Sequence, residues 1–146
     1  MNQRIVIASL ALAFGLLPVS EAIAQIAVIA HPAVPADSMS KSTIVDMFTG
    51  DTRQWNNGLP VVPLDLQEPK DVRKVFYKSL GKSSSRMRSI WMKRKLSGEG
   101  DAPQAIETED EVVAQVAKTP GAISFVRASH ASASVKVLRI VQSPGP

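Results

Sequence analysis

The chain has 146 residues, with 17 Lys and Arg against 13 Asp and Glu, a formal net charge of +4 at pH 7 and no cysteine. This length suits one compact domain, and without disulfides the apolar core has to hold the fold by itself. The net charge is only mildly basic, so the clustering of the cations matters more than their total.

Residues 1–24 have the pattern of a cleaved export signal. Arg4 precedes an unbroken run of thirteen apolar or small residues, Ile5 to Leu17, which is too short for the roughly 20 residues that a bilayer-spanning helix needs. Ala22-Ile23-Ala24 has the small-x-small form that a signal peptidase accepts, so we expect cleavage before Gln25. No cysteine is available for lipidation. The expectation is a soluble periplasmic protein with no transmembrane segment in the mature chain.

The mature chain is predicted to open with a strand and a well-marked helix. Gln25–Ala30 is apolar and partly β-branched, which is typical of a buried strand. Ser40 suits the N-cap of the first helix, and Met39 and Ile44 occupy the two positions of a hydrophobic staple. Gly50 suits the left-handed residue that ends this helix.

A turn and a second strand are predicted next. The stretch "WNNG" contains an Asn-Gly turn signal, and Trp55 is expected to cover that turn rather than to bind a ligand. The extended run Leu59–Asp65 follows, and Pro60 and Pro63 predict an edge strand or the ends of a strand.

Two further helices are predicted in the middle of the chain. The second helix starts at Pro69, a suitable first-turn residue, and runs to Gly81. Its buried stripe consists of Val72, Val75, Phe76 and Leu80. The third helix opens at "KSSS" and ends near Leu96, with an apolar face made of Met87, Ile90 and Trp91. Residues 98–106 are interpreted as a connection rich in Gly and Pro.

The fourth helix has the clearest signals. Thr108 and Glu111 form a capping box, and Pro120-Gly121 ends the helix. The segments "AISFV" and "VKVLRI" are the last predicted strands. This order of elements predicts an α/β or α+β fold with a small sheet covered by helices, in a single domain over residues 25–146 whose residues 142–146 form a frayed tail.

Several motifs in this order resemble the exported phosphate-binding proteins of ABC transporters. They are a helix ending in "DMFTG", a Trp-centred turn, "PVVPLD", "DVRKVFYKSLG", "SIWMKRKLSGEG" and "TPGAISFVRAS", and together they span Ile26 to Ile140. The resemblance implies a short periplasmic-binding-protein-like (PBP-like, type II) lobe of α/β class, with a short mixed sheet and about four helices. It also implies non-covalent binding of a small oxyanion such as phosphate, delivered to an ABC permease or a sensor.

The chain departs from that family in two respects. Full transport receptors have two lobes joined by a hinge, and this chain has residues for little more than one. The family's phosphate site uses an Arg followed by a Ser-Gly-Thr run at a helix start. The equivalent stretch here is "LDLQEPKDVRKVF", which lacks that run.

An oxyanion site needs free amides at a helix start, hydroxyl donors and usually one cation. The start of the first helix is one candidate, because Ser38 and Ser40 lie beside it. The alternative is that Ser40 simply caps the helix and Ser38 faces water.

The start of the second helix is the other candidate. The first-turn amides of Lys70 and Asp71 are expected to be free, and Arg73 is close enough to add a forked donor. The Asp71 carboxylate would compete with an anion there. The resemblance points to Asp65 and Arg73 as the first choices; the alternative is a surface Asp and an Arg on the helix surface.

The third helix is strongly basic, with cations at Arg86, Arg88, Lys93, Arg94 and Lys95. Helical geometry places Arg86 and Lys93 on one side of the apolar face and Arg88 and Lys95 on the other, which is typical of a solvated rim. A surface for an anionic partner is the alternative, and no nucleic-acid partner is expected for an exported protein.

No cofactor, metal site or enzymatic activity is predicted. His31 and His130 lie far apart in sequence and lack the acidic or thiol neighbours of a metal site. No nucleophile–base pattern, paired-carboxylate motif or phosphate-loop signature occurs. The alternative to solute binding is a module that has kept the fold without a ligand and docks to another exported or membrane protein.

Overall fold

A computed structural model describes residues 25–142, which form one five-stranded mixed sheet with four α-helices. The strands are β1 Ile26–Ala30, β2 Val62–Leu66, β3 Gln104–Ile106, β4 Ala122–Arg127 and β5 Lys136–Val141. The helices are α1 Lys41–Thr49, α2 Lys70–Ser79, α3 Ser84–Leu96 and α4 Glu109–Lys118. The predicted α/β class, with a short mixed sheet and about four helices, is confirmed. The predicted export signal and residues 143–146 lie outside the described residues.

The strand order is β3-β2-β4-β1-β5. β2 runs parallel to β3 and β4, whereas β1 is antiparallel to β4 and to β5. Every residue of β1 and the first five of β4 are buried. Side chains of both orientations are therefore covered, as expected for central strands of a sheet between helices.

Of the two alternatives predicted from Pro60 and Pro63, the edge strand is wrong, because β2 lies between two neighbours. The other alternative is confirmed, because Pro60 precedes β2 and Pro63 is its second residue. The ladder still explains how Pro63 is accommodated. Pro63 pairs with Ile123 of β4, and the register with β3 begins only at Leu64. The missing N–H of Pro63 therefore lies where β2 has a neighbour on one side alone.

β3 was not predicted; it lies within the segment interpreted as a connection. Only one of its three residues, Ile106, is buried. Its strand character comes from pairing with β2 in the register Leu64↔Gln104 to Leu66↔Ile106. Local sequence carries little of that signal, since the pairing is a tertiary contact.

Aromatic side chains join α1 and α2 to the sheet. The rings of Phe76 and Phe125 stack at 3.8 Å between centroids, with 11° between their planes. Phe48 of α1 meets Phe76 edge-on at 5.1 Å. All three side chains are fully buried. Such pairs add about 0.5–1.5 kcal/mol beyond the burial of their area.

Trp55 connects the turn before β2 to the turn before β4. Its side chain is buried, and its indole Nε1 donates to the Gly121 carbonyl at 3.0 Å. Its backbone N–H donates to Leu59 O at 2.8 Å, which closes the Asn-Gly turn. The expected packing role of Trp55 is confirmed.

α3 is fixed to the rest of the fold by Trp91 and Arg94. The indole Nε1 of Trp91 donates to Phe48 O at 2.9 Å. The guanidinium of Arg94 pairs with Asp51, which follows α1, and with Glu99 at 2.8 Å. Arg94 lies on the same side of α3 as the apolar residues, and these two carboxylates compensate its charge there.

Candidate functional site

Asp65, at the end of β2, binds Arg73 of α2 through a forked ion pair. Arg73 Nε lies 3.0 Å and 3.2 Å from the two carboxylate oxygens, and Nη2 lies 2.9 Å from Oδ2. Tyr77, one turn further along α2, donates its hydroxyl to Asp65 Oδ1 at 2.8 Å. The Arg73 guanidinium carbon also lies 5.0 Å from the centroid of the Tyr77 ring, within the range of a cation–π contact.

The cluster shifts the acid–base equilibria of two of its members. The hydrogen bonds to Asp65 raise the pKa of Arg73 above its usual value, against the opposing effect of burial. Burial, followed by the negative charge of Asp65, raises the pKa of Tyr77 far above its usual value. Arg73 therefore stays charged and Tyr77 stays protonated at neutral pH.

Arg73 also contacts the start of α3. Its Nη1 donates to Ser84 Oγ at 3.0 Å. A guanidinium has five N–H donors, and the contacts to Asp65 and Ser84 engage Nε, Nη2 and Nη1 once each. Two donors of Arg73 are thus without an acceptor among residues 25–142. Because Ser84 accepts from Arg73, its own hydroxyl proton remains available for another acceptor.

The prediction that the Lys70 amide is free is wrong. The Lys70 N–H donates to Glu68 Oε2 at 3.0 Å, and the Val72 N–H donates to Asp71 Oδ1 at 3.0 Å. Two carboxylates of the chain itself thus already lie at the positive end of α2, where negative charge is stabilised by the helix dipole. The start of α2 is therefore less open to an external anion than the sequence suggested.

The start of α1 is far from Arg73. Ser40 caps this helix by accepting from Thr43 N at 3.2 Å, and Ser38 is exposed. The backbone of Met39 donates to β5, whereas that of Gln67 donates to β3. β5 and β3 are the two edge strands of the sheet, so the two helix starts are attached near opposite edges. Ser38 and Ser40 therefore do not belong to one site with Arg73.

Asp65 and Arg73 open into a first cavity, which we call the aromatic cavity. It has a volume of about 450 Å³, and Tyr77 and Trp91 contribute to its wall. Arg88 and Lys95 of α3 also line it. The two residues preferred from the sequence thus share one hollow.

A second, larger cavity of about 760 Å³ lies between α2 and α3; we call it the basic cavity. Arg73 lines both the aromatic cavity and the basic cavity, and so it lies between them. The other cations are Lys70, Lys74, Lys78 and Lys82, against the two carboxylates Glu68 and Glu107. The serines Ser83, Ser84 and Ser85 at the start of α3 complete the wall.

Three parts of this arrangement were missed from the sequence. Tyr77 follows Arg73 by four residues, the spacing that places two side chains on one side of a helix. The four lysines of the basic cavity also recur at every fourth residue, and for the three that lie in α2 this spacing indicates one side of the helix. The contact between Arg73 and Ser84 depends on how two helices pack and has no local signal.

The acidic and histidine side chains of residues 25–142 provide no group of three or more that could hold a metal ion. His31 Nδ1 accepts from Ala33 N at 2.9 Å, and His130 lies 3.6 Å from Glu109 and 3.4 Å from Asp110. No helix within the described part of the chain is long and apolar enough to cross a membrane.

The sequence matches the family model of the PBP superfamily domain over residues 6–142. The chain belongs to this family. None of the curated proteins compared with the chain matches it.

Solved structures share the fold at low sequence identity. A protein described as a phosphate ABC transporter substrate-binding protein with bound phosphate, from Clostridium perfringens, aligns with a TM-score of 0.65 and 19% identity over 80% of this chain. An ABC-type phosphate transport receptor from Vibrio cholerae aligns over 80% with a TM-score of 0.62 and 12% identity. PstS from Borrelia burgdorferi aligns over 79% with a TM-score of 0.55 and 11% identity.

The chain spans somewhat less than half of each of these structures, namely 45%, 46% and 47% of their length. At these identities the likeness concerns the fold alone. It confirms the PBP-like lobe that the sequence motifs implied.

Proposed function

We propose that this chain is an exported periplasmic solute-binding protein, cleaved before Gln25, that binds a small oxyanion such as phosphate in the basic cavity. Its partner would be an ABC permease or a sensor in the membrane. Membership of the PBP superfamily supports non-covalent binding rather than catalysis. The observation that carries the proposal is the row of lysines facing the serine-rich start of α3.

The charge of the basic cavity favours an anion. Its wall contains five cationic side chains and two carboxylates. The first turn of α3 has no acidic residue, in contrast to Asp71 in the first turn of α2. An anion at the start of α3 would therefore meet the positive end of a helix dipole without competition from a carboxylate in the same turn.

Hydrogen-bond donors are available at the same place. The first amides of α3, those of Ser84 and Ser85, have no partner within a helix because of their position. The Ser84 hydroxyl lies 3.0 Å from Arg73 Nη1, and both residues line the basic cavity. Asp65 orients the guanidinium, and the exposed side chains of Lys70 and Lys74 add positive charge to the wall of the cavity.

Calorimetry with phosphate, sulfate and simple carboxylates tests this proposal. We expect heat from at least one oxyanion, and affinity about tenfold lower in Lys78→Ala and in Ser84→Ala, since one charge-assisted hydrogen bond contributes about 1.5–3 kcal/mol. Lys118→Ala, which removes an exposed lysine of α4, is the matched control. Silence from every anion while the circular dichroism spectrum stays native would contradict the proposal.

A ligand-free docking module is the second candidate function. Two carboxylates of the chain itself favour this candidate. Asp65 accepts hydrogen bonds from the Arg73 guanidinium, and Glu68 accepts one from the Lys70 backbone N–H. Both lie where a bound anion would otherwise make its contacts. The same titration separates the candidates, because a docking module gives no heat with any small anion.

A further inference from the structure

The outward side of α3 carries a narrow stripe that faces solvent. Ser85, Ser89, Met92 and Leu96 follow one another at intervals of four, three and four residues. All four are exposed, and the exposed fractions of Met92 and Leu96 are 54% and 81%. The opposite side of the helix carries Met87 and Trp91, which pack on the rest of the protein. We call the four outward residues the α3 seam.

Cations border the α3 seam on both sides. At 100° per residue, Arg86 and Lys93 lie along one border, and Arg88 and Lys95 lie along the other. All four side chains are exposed, and none forms an ion pair with any of residues 25–142. No acidic residue occurs between Ser84 and Leu96. Each border therefore presents two charges that lack a counterpart.

We propose that the α3 seam docks an amphipathic helix of a partner protein that carries acidic residues along both edges of its apolar stripe. The spacing of four, three and four residues is that of the a and d positions at a two-helix interface. The bordering cations then occupy the e and g positions, where opposite charges on the facing helix set the choice of partner. A shallow hollow of about 630 Å³ lies at the C-terminal half of the seam, between Arg88, Met92, Lys93 and Leu96.

The charges decide against a second copy of this chain. Two α3 helices packed along their seams would bring cations against cations at every bordering position, and such contacts are repulsive. Composition decides against a lipid surface. Only two of the four seam residues are large and apolar, whereas a helix lying in a membrane interface needs a broad apolar face. Small residues such as Ser85 and Ser89 instead allow a facing helix to approach closely.

A pair of designed peptides provides the test. Both are amphipathic helices with Leu at a and d; one has Glu at e and g, and the other has Lys there. Fluorescence anisotropy of each labelled peptide is measured against the full protein. We expect saturable binding of the acidic peptide alone, weakened about tenfold or more by Met92→Ala combined with Leu96→Ala.

Charge reversal tests the bordering cations directly. The combined variant Arg86→Glu, Arg88→Glu, Lys93→Glu and Lys95→Glu is expected to lose the acidic peptide and to gain the basic one, and its circular dichroism spectrum should stay native. Lys118→Glu on α4 is the control and should keep the wild-type preference. Equal binding of both peptides, or binding of neither, overturns the proposal.

Two other results would also overturn it. Dimers in sedimentation equilibrium that dissociate in Leu96→Ala would assign the seam to a second copy. Leu96-dependent binding to phosphatidylserine vesicles, with no binding of the acidic peptide, would assign it to a membrane. None of these measurements depends on oxyanion binding, so the docking proposal and the proposed function can fail separately.

Discussion

Asp65 is the residue on which the chemistry of Arg73 depends. The carboxylate and the guanidinium are largely buried, with exposed fractions of 14% and 24% for their side chains. While the pair is intact, an anion in either cavity can use only the two donors of Arg73 that Asp65 and Ser84 leave free. Substitution of Asp65 therefore affects stability and anion affinity in opposite directions.

We expect Asp65→Asn to lower the free energy of unfolding by about 1–3 kcal/mol, because a mostly buried guanidinium loses its charged partner. The same variant should bind the oxyanion more tightly than the wild type, since the fork of Arg73 becomes available. Urea unfolding and calorimetry measure the two effects. Asp51→Asn is the matched control: the Asp51 side chain is 61% exposed, and its partner Arg94 keeps a second carboxylate, Glu99. We therefore expect a cost of only about 0–1 kcal/mol there. Unchanged stability in Asp65→Asn would contradict this account.

Tyr77 makes stability depend on alkaline pH. Its pKa is raised in the folded protein, whereas in the unfolded chain it ionises near the ordinary value of about 10. The stability that the protonated phenol contributes is therefore full below about pH 10 and is lost as the pH rises above it. We expect the unfolding free energy of the wild type to fall more steeply above about pH 10 than that of Tyr77→Phe. Parallel curves for the two proteins would show that Tyr77 ionises equally in both states.

At the scale of the elements, the two turns joined by Trp55 depend on a glycine. Gly121 has φ +83°, and a Cβ built on it would overlap the carbonyl oxygen of Pro60. Gly58 has a similar φ of +82° but nothing within 4 Å of such a Cβ. The same substitution at Gly58 and at Gly121 therefore distinguishes the cost of backbone strain alone from the cost of strain together with a steric clash.

We expect Gly58→Ala to lower the unfolding free energy by about 1–2 kcal/mol, the cost of a left-handed conformation for a residue with a Cβ. Gly121→Ala adds overpacking of about 1–3 kcal/mol to the same strain. Thermal and urea unfolding of both variants give the comparison. Equal losses in the two variants would mean that the Gly121 turn moves away from Pro60 at little cost.

Helix ends were the most predictable features, because their signals are local. Ser40 and Thr108 accept hydrogen bonds from the backbone three residues later, and Gly50 ends α1 with φ +81°. Glu109 has a local role and a tertiary one. It lies in the first turn of α4, as the helix dipole favours, but it is also buried and binds Arg127 through Oε1 at 2.7 Å. That second role depends on how α4 packs against β4.

Two residues of the candidate site, Asp65 and Arg73, were predicted, whereas their pairing and most of the residues that line the basic cavity were not. Asp65 and Arg73 were identified from sequence, and the structure places them in one hollow. Their ion pair joins the end of β2 to α2. The spacing of residues along the sequence does not indicate that the carboxylate would bind this guanidinium. The position of the serines at Ser83–Ser85 opposite the lysines of α2 is likewise set by helix packing.

At the scale of the whole molecule, one cluster of buried residues includes members of all four helices and all five strands that the structure describes. We therefore expect a single cooperative unfolding transition, with coincident midpoints for far-UV circular dichroism and tryptophan fluorescence. The chain has two tryptophans, so Trp55→Phe leaves Trp91 on α3 as the only reporter. A fluorescence midpoint in that variant well below the circular dichroism midpoint would show that α3 unfolds separately.

The sequence contains no cysteine, which has a practical consequence for experiments. Any thiol that is introduced becomes a unique point for attaching a fluorophore or a spin label. Gln67→Cys would place a label at the wall of the basic cavity, and Ser97→Cys would place one beside the end of the α3 seam. Solute binding and helix docking then report through two separate probes, on backgrounds that need no prior removal of native thiols.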